Sequence, residues 1–184
     1  MARTRAAIQA HALQLFAEQG YDATTVQQII AVAEVSESTF FRYFPTKGDT
    51  VLLDDFDPLI VEAFREQPPD LPPIQALRSA FREAFGQLSS QEMAEQRHRM
   101  RLIFSVPELR AAMLDQFAAA MLLLAAVVAE RAGRRADDIA VRTLAGAVVG
   151  VAMAVMFAMN EDPTADLALL LDQAMAQLAA GLDL

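Results

Sequence analysis

Apolar residues recur along most of the chain at intervals of three and four positions, which is the spacing of one face of an α-helix. Long stretches of alternating apolar and polar residues do not occur, and glycine and proline stand mainly where helical stretches end. The pattern therefore predicts an all-α fold. Nine helices are expected, at about residues 3–19, 25–33, 37–43, 47–65, 74–88, 91–104, 106–131, 138–160 and 163–180.

Polar residues mark where the short second and third helices begin. Two overlapping capping boxes precede the second helix, Thr24 with Gln27 and Thr25 with Gln28, and the sequence does not decide between them. Ser36 is placed to cap the third helix.

The proline-rich stretch 68–73 is the one plain linker in the sequence. Residues 1–50 are expected to form a small head of three helices, the fourth helix at 47–65 to connect, and residues 74–184 to form a larger helical body. Two short helices that are joined by a tight turn and packed on a longer first helix are the plan of a helix-turn-helix DNA-binding domain.

The third helix has two different faces. Phe40 and Phe44 lie four residues apart and face the core, whereas Ser38, Phe41 and Arg42 lie on the other side. A phenylalanine on the outer face can lie against a sugar or a thymine methyl in the major groove, or it can pack on the start of the fourth helix. The outer face is the candidate for base recognition.

The distribution of charge decides whether a DNA-binding head is reasonable. The chain has 184 residues, 54% of them hydrophobic, and a formal net charge of −9, which by itself argues against a nucleic-acid partner. Residues 1–50, however, carry four basic and five acidic groups, while the remainder carries eleven and nineteen. The excess of acidic residues lies mainly in the body, so modest, salt-dependent DNA binding by the head is expected. The four basic candidates for DNA contact are Arg3, Arg5, Arg42 and Lys47.

Several other classes of protein are disfavoured. The absence of cysteine excludes a disulfide scaffold, a cysteine-ligated metal site and a thiol nucleophile. The first residues lack a signal-peptide pattern, so a cytoplasmic protein is expected. Residues 143–159 are uncharged and nearly long enough to cross a bilayer, but their neighbours are amphipathic, which favours a buried helix and no membrane association.

The head resembles the DNA-binding domain of TetR-type transcriptional regulators over residues 6–51. The matching stretches are A-x-x-L-F-A-E-Q-G-Y-D-A-T-T-V-x-x-I and A-E-V-S-E-S-T-F-F-R-Y-F-P-T-K. The resemblance implies a homodimer that represses transcription and leaves its double-stranded DNA operator when a small molecule enters the body. It implies backbone phosphate contacts from Thr25, Ser36, Tyr43 and Lys47, and contacts with base edges or sugars from Ser38, Thr39, Phe41 and Arg42.

Two positions depart from the family pattern. Glu34 stands in the turn where the family usually has glycine, at a position that favours positive φ, so either Glu34 is strained or the turn differs. Phe41 replaces a common tyrosine and loses one phosphate hydrogen bond. Both departures bear on operator affinity.

The last two predicted helices have the composition of a dimer interface. The eighth is apolar nearly all round, and the spacing of Gly146 and Gly150 lets another backbone come close. The ninth carries a heptad-like apolar stripe. Together they predict a self-complementary four-helix interface between two copies. The residues of the stripe are Leu167, Leu170, Leu171, Ala174 and Leu178.

Methionine and phenylalanine are dense in the fifth to eighth helices, which suits an adaptable pocket for a bulky apolar ligand. The same residue types also build ordinary cores. Arg142, inside the apolar eighth helix, either anchors a ligand carboxylate or forms an ion pair near the start of that helix. The candidate pocket residues are Phe81, Phe85, Met93, Met100, Phe104, Met113, Phe117, Met121, Met153, Met156 and Phe157.

The run Arg97-His98-Arg99-Met100-Arg101 is the strongest basic cluster of the chain. It is interpreted either as a solvated helix face or as a site that captures a phosphorylated or acyl-CoA-like ligand. The stretch F-F-R-Y-F-P-T-K is similar to that of mycofactocin-type regulators, and this resemblance implies an acyl-CoA effector.

An enzyme is the alternative class. Glu95-x-x-His98 has the spacing of half a di-metal site in a helical bundle, but a second copy is missing. Asp54, Asp55 and Asp57 are explained better by a solvated face than by a metal cluster. Neither a Ser/His/Asp set nor a nucleotide-binding loop occurs. We therefore expect a DNA-binding regulator without cofactor or metal, rather than a metal-dependent helical-bundle enzyme or a helical interaction protein that does not bind DNA.

Overall fold

A computed structural model describes residues 2–53, 56–86, 88–162 and 164–182 of the chain. All regular secondary structure in these ranges is helical, which confirms the predicted all-α class. The helices are α1 (Ala2–Gln19), α2 (Val26–Val32), α3 (Glu37–Tyr43), α4 (Asp49–Leu52), α5 (Phe56–Glu66), α6 (Pro73–Gly86), α7 (Ser90–Ser105), α8 (Pro107–Ala132), α9 (Ile139–Glu161) and α10 (Leu167–Ala180).

The chain divides into two compact units. The first contains Met1–Asp54 together with Arg101–Met113, and the second contains Asp55–Met100 together with Leu114–Leu184. The first division lies close to the boundary that the sequence predicts near residue 50. The sequence predicts that residues 101–113 belong to the body, whereas their contacts place them in the first unit.

The core of the first unit fixes the position of α3. In α1 the buried apolar side chains Ile8, Ala12 and Phe16 are spaced four residues apart, so they form a single stripe. In α3 the rings of Phe40 and Phe44 lie 5.9 Å apart and are fully buried, which confirms the predicted core face. The opposite face of α3 is therefore turned outward. The buried apolar residues of the head are Ile8, Ala12, Phe16, Tyr21, Ile29, Phe40, Phe44 and Val51.

The start of α2 shows which of the two capping boxes is used. The Thr25 side chain accepts a hydrogen bond from the Gln28 backbone N–H, and the Gln28 side chain accepts one from the Thr25 N–H at 2.8 Å. Thr24 is buried instead, and its hydroxyl donates to the Gly20 carbonyl at 2.8 Å. The box at Thr25 is therefore the one formed.

The turn between α2 and α3 keeps the conformation that usually selects glycine. Glu34 has a φ of +52°, and it is followed by Val35, whose N–H donates to the Ile30 carbonyl at 3.2 Å. The Glu34 N–H donates to the Ala31 carbonyl at 3.4 Å, which completes the six-residue bond pattern of a helix C-terminus. Of the two alternatives, strain at Glu34 is therefore the one observed.

The predicted fourth helix, 47–65, is wrong as a continuous element, because it is interrupted after α4. Leu53 has an extended backbone, and its carbonyl accepts a 2.6 Å hydrogen bond from the amide group of the buried Gln9 side chain. Pro58 supplies a second reason, since a proline inside a helix clashes with the carbonyl four residues earlier. In the structure Pro58 lies in the first turn of α5, where proline is tolerated. Asp54 and Asp55 lie outside the described residues.

The predicted start of the last helix at residue 163 is also wrong. Helix α10 begins at Leu167, and the carboxylate of Asp166 accepts a hydrogen bond from the Leu169 N–H at 3.0 Å. Pro163 lies outside the described residues. Helix α10 therefore begins, after its cap at Asp166, four residues later than the sequence pattern predicts.

The second unit is built around a separate core formed mainly by α5, α6, α8, α9 and α10. The guanidinium of Arg78 on α6 forms a two-pronged pair with Asp172 on α10, at 2.7 and 2.8 Å, and this hydrogen bonding lowers the pKa of the Asp172 carboxyl. Arg131 of α8 donates to the carbonyls of Phe64, Gln67, Pro68 and Leu71, and so satisfies the end of α5 and the linker that follows.

Replacing Glu34 with glycine should stabilise the protein by about 0.5–1 kcal/mol, because the strain of the left-handed conformation is relieved and exceeds the extra freedom of glycine in the unfolded chain. Urea denaturation followed by circular dichroism measures the free energy of unfolding. Glu34→Ala is the matched control, since it removes the carboxylate but keeps the β-carbon, and it should give no gain. Equal stability of the glycine and alanine variants would contradict this account of the turn.

Candidate DNA-binding site

Helix α3 presents a short polar and aromatic face. Its N-terminus is capped by Ser36, whose hydroxyl accepts the Thr39 N–H at 3.1 Å and lies 3.0 Å from the Ser38 hydroxyl. Phe41 is 44% exposed, and its ring meets the ring of Phe40 in the same helix edge-on at 5.3 Å. This large apolar group is therefore available at the surface beside small hydroxyl side chains.

Arginines lie at the other end of this face. The Arg42 guanidinium lies 5.1 Å from the centre of the Tyr43 ring, and that of Arg5, from α1, lies 5.9 Å from the centre of the Phe44 ring. Arg3 is exposed two residues before Arg5. Two helices thus bring positive charge to the C-terminal end of α3.

Lys47 has a structural role that the sequence did not indicate. Its ammonium donates to the carbonyls of Tyr21 and Thr24 at 2.8 and 3.0 Å, and it lies 4.0 Å from the centre of the Tyr21 ring. Two of its three N–H groups are therefore used to hold the loop before α2 against the segment before α4. The phosphate contact of Lys47 that the family resemblance implies stays a prediction.

Thr25 marks the start of α2, as Ser36 marks the start of α3, and both are exposed. The structure thus gathers Ser36, Ser38, Thr39, Phe41, Arg42 and Tyr43 on α3, adds Arg5 beside them, and places Thr25 and Lys47 at the borders of the preceding and following elements.

Tyr21 is a feature of the head that the sequence reasoning missed. Its side chain is buried, and its hydroxyl has no hydrogen-bond partner among the described residues. Burial raises the pKa of this hydroxyl to about 12, with smaller contributions from the carboxylates of Glu108, Asp22 and Asp49. No local sequence signal could have found it, because Glu108 is 87 positions away along the chain.

The candidate ligand pocket is only partly assembled from the predicted residues. Five of them pack together around the core of the second unit, whereas Phe104 and Met113 belong to the first unit. Phe157 is 48% exposed on α9, and its place in a pocket wall stays a prediction. Met93, Met100 and Met156 are half-buried. The five that pack together are Phe81, Phe85, Phe117, Met121 and Met153.

Arg142 and the basic run of α7 differ in their exposure to solvent. Arg142 is exposed and lines an open depression of about 460 Å³ with Leu122 and Asp137. In the run, Arg97 and His98 are half-buried and Arg99 is buried. The run therefore does not form the single solvated face that was one of its two interpretations.

The predicted dimer residues differ in how much of each is exposed on the surface of the protomer, where a second copy could contact it. Leu171 is buried in the core of its own protomer, and Leu167, Leu170, Ala174 and Leu178 pack against the same core, so the α10 stripe serves first inside the protomer. On α9, a β-carbon at Gly146 would lie 3.8 Å from the Met121 sulfur, and one at Gly150 would meet nothing within 4 Å. The exposed apolar positions of α9 are Ile139 and Ala140 in its first turn, and Gly150, Ala154 and Phe157 in its second half.

The acidic and histidine side chains and the two longest apolar helices bear on metal binding and on membrane association. Within the described ranges no group of three or more His, Asp or Glu side chains is arranged to hold a metal ion. Asp54 and Asp55 of the proposed acidic cluster lie outside those ranges. Helices α8 and α9 are each long and apolar enough to cross a membrane, and 28% of each apolar stretch is buried within the protein.

Comparison with protein families matches both parts of the chain. Residues 8–52 match the model for bacterial regulatory proteins of the tetR family, and residues 71–183 match that for the MftR C-terminal domain.

Two curated relatives are regulators. The HTH-type transcriptional regulator TcmR of Streptomyces glaucescens is 35% identical over 143 residues, which cover 74% of this chain but only 63% of TcmR. The chain thus spans slightly less than two thirds of that relative. The proposed mycofactocin biosynthesis transcriptional regulator MftR of Mycobacterium tuberculosis is 31% identical over 185 residues, covering 94% of this chain and 87% of MftR.

Solved structures share the fold. A proposed TetR-family regulator from Syntrophomonas wolfei has a TM-score of 0.67 at 19% identity, with 100% of this chain and 98% of that chain covered. The TetR-family repressor FadR of Thermus thermophilus, in complex with lauroyl-CoA, has a TM-score of 0.58 at 23% identity, with 98% and 95% covered.

The Tyr21 hydroxyl should make the stability of the protein fall at alkaline pH. Because its pKa is raised from 10.0 to about 12 in the folded state, its contribution is complete below pH 10 and is lost as the pH rises toward 12, by about 2–3 kcal/mol in all. Urea denaturation between pH 7 and pH 11.5 measures this loss. Tyr21→Phe should lose less stability over that range and should be at least as stable as the wild type at pH 7, since an unpaired buried hydroxyl is removed. A parallel loss in both proteins would contradict the assignment.

Proposed function

This chain belongs to the TetR family of bacterial transcriptional regulators, and on that premise we propose that it is a homodimeric repressor that binds a palindromic operator and leaves it when a bulky apolar molecule enters the body. Membership makes it a ligand-responsive, DNA-binding regulator and not an enzyme. Members of the family dimerise on DNA operators, bind small-molecule effectors and are soluble, so we place this protein in the cytoplasm.

The exposed face of α3 is the observation that carries the DNA-binding proposal. Phe41 can contact a thymine methyl or a sugar, and Arg42 beside it can donate to a base edge or a phosphate. Thr25, Ser36, Tyr43 and Lys47 are proposed to fix the register on the backbone, with Arg3 and Arg5 adding charge.

The exposed apolar surface of α9 supports the proposed homodimer. This helix has a hydropathy high enough for a membrane, yet Gly150, Ala154 and Phe157 on one side of it are exposed in the protomer. A second copy that packs its own α9 on this side would cover it, and the two-fold symmetry would place two heads on successive turns of the major groove, about 34–36 Å apart. Gly146 and the α10 stripe would contribute only their partly exposed atoms.

A bulky apolar effector is proposed from the packing of the second unit. The core of this unit and the residues packed against it include five adaptable side chains, Phe81, Phe85, Phe117, Met121 and Met153. The match to the MftR C-terminal domain and the lauroyl-CoA complex of Thermus FadR support an acyl chain as one member of the class. Arg97 and Arg99, which are partly or wholly buried on α7, are proposed to receive an anionic head group.

Selection from random DNA duplexes should enrich one palindromic sequence. Phe41→Ala should weaken binding to that duplex about tenfold, since a good base contact is worth about 1–3 kcal/mol. Fluorescence anisotropy with a labelled duplex measures the affinity. Val32→Ala is the matched control, because Val32 is as exposed as Phe41 but lies at the end of α2, and it should bind as the wild type does.

The same duplex separates the parts of the proposal. Enrichment of no sequence would contradict DNA recognition, and an equal loss in Val32→Ala would show that Phe41 is not specific. If the dimer contacts about four to eight phosphates, the slope of log affinity against log salt concentration should be about −4 to −7. Affinity that does not depend on salt would contradict the proposed phosphate contacts. Lauroyl-CoA should release the duplex if the effector is an acyl-CoA, and release by apolar compounds without a phosphate would restrict the class to apolar molecules.

Phe157→Arg should convert the dimer to monomers at micromolar concentration, because it places a charge at the centre of the proposed apolar seam. Size-exclusion chromatography with light scattering measures the mass. Val32→Arg is the control, since Val32 has nearly the same exposure, 46% against 48%, but lies in the head. A wild-type monomer, or an intact Phe157→Arg dimer, would refute this interface.

A further inference from the structure

Three side-chain hydroxyls meet on the α3 face. The Ser36 oxygen lies 3.0 Å from the Ser38 oxygen and 2.8 Å from the Thr39 oxygen, and it accepts the Thr39 backbone N–H at 3.1 Å. Ser36 and Ser38 are exposed, and Thr39 is half-buried. Ser36 is thus the centre of a hydrogen-bonded group that includes two residues for which the family resemblance implies contacts with base edges or sugars.

The number of hydroxyl protons limits how this group can be arranged. A serine oxygen has two lone pairs and one proton. Because one lone pair of Ser36 takes the Thr39 N–H, Ser36 can accept only one of the two neighbouring hydroxyl protons and must donate its own to the other oxygen. Either Ser38 donates to Ser36 and Ser36 donates to Thr39, or Thr39 donates to Ser36 and Ser36 donates to Ser38. Each arrangement uses two of the three protons inside the group.

A single hydroxyl proton is therefore left to point away from the group, on Thr39 in the first arrangement and on Ser38 in the second. The residue that keeps its proton is an outward donor, whereas the other offers only lone pairs. Among the residues that the structure describes, neither hydroxyl has a further protein partner. The Ser36 hydroxyl is fully used, so a phosphate contact of Ser36 must come from its main chain.

We propose that Ser36 sets the hydrogen-bonding character of Ser38 and Thr39, so that these two side chains together offer DNA one donor and one acceptor. This inference rests on the proposed function, because it requires that the α3 face reads the major groove. There an adenine presents one acceptor and one donor, N7 and the N6 amino group, whereas a guanine presents two acceptors, N7 and O6. Ser36 is then a positioning residue that favours adenine over guanine at the base that Ser38 and Thr39 contact.

Selection from random duplexes with variants of this group tests the proposal. Ser38→Ala and Thr39→Val identify the base pair, as the operator position at which their base preference differs from that of the wild type. At this position the wild type should prefer adenine over guanine about tenfold, since a mismatched hydrogen-bond pair costs about 1–3 kcal/mol.

Two variants of Ser36 should shift this preference in different directions. Ser36→Ala releases both protons, so the remaining pair of donors should favour guanine several-fold more than the wild type does. Ser36→Asp keeps a good helix cap but accepts both protons, so only lone pairs face outward. The preference of this variant should shift toward cytosine, which presents only a donor in the major groove.

Thr25→Asp is the matched control, because Thr25 caps α2 in the same way and its hydroxyl contacts Gln28 instead of a residue of α3. The added charge should weaken binding to all duplexes alike and leave the base preference unchanged. Ser36→Thr keeps a hydroxyl and should retain the wild-type preference. Circular dichroism checks that each variant keeps its helix content.

The outcomes separate this inference from the proposed function. If Ser36 were only a helix cap, Ser36→Ala and Ser36→Asp would lower the affinity for every duplex without changing the base preference, and that result would overturn the inference. A wild-type preference for guanine, or no change of preference in Ser38→Ala and Thr39→Val, would also overturn it while an enriched palindrome still supported the proposed function. Enrichment of no duplex by the wild type would contradict both, since the inference requires a base that is read.

Discussion

The ammonium group of Lys47 is the interaction on which the geometry of the head depends. It joins two backbone carbonyls of the loop before α2 and the face of the Tyr21 ring to the segment before α4. Helix α2 is tied in turn to α3 by the strained turn at Glu34. One cation therefore fixes the loop that leads into α2, and the turn at Glu34 and the buried rings of Phe40 and Phe44 then place the exposed face of α3.

The head could be predicted well because its features are local. The spacing of Phe40 and Phe44 identified the core face of α3, and Ser36 identified its start. The interruption at Leu53 was missed because its hydrogen bond comes from Gln9, 44 positions earlier, although Pro58 was visible as a warning. The same applies to Tyr21 and to the place of residues 101–113 in the first unit, since contacts between distant segments leave no periodic trace in the sequence.

The body shows a different limit. A heptad-like stripe on α10 and a stripe of small residues on α9 look alike as interface patterns, yet Leu171 is buried inside the protomer while Gly150 is open. Periodicity reports that a face must be covered and does not report by which molecule. For the same reason the methionine and phenylalanine residues could be assigned to an apolar interior, but their division between the two units could not be foreseen.

The inclusion of residues 101–113 in the first unit has a consequence for how such regulators can be recombined. A helix-turn-helix taken from this chain and joined to another body would leave behind Leu109, which fills the space beside Gly48. The transplanted piece would then lack the side chain that fills this space, unless the new body supplied one of matching size. In this chain residues 1–54 therefore do not contain the whole packed DNA-binding unit. A change in residues 101–113 must keep a side chain that fits the space beside Gly48.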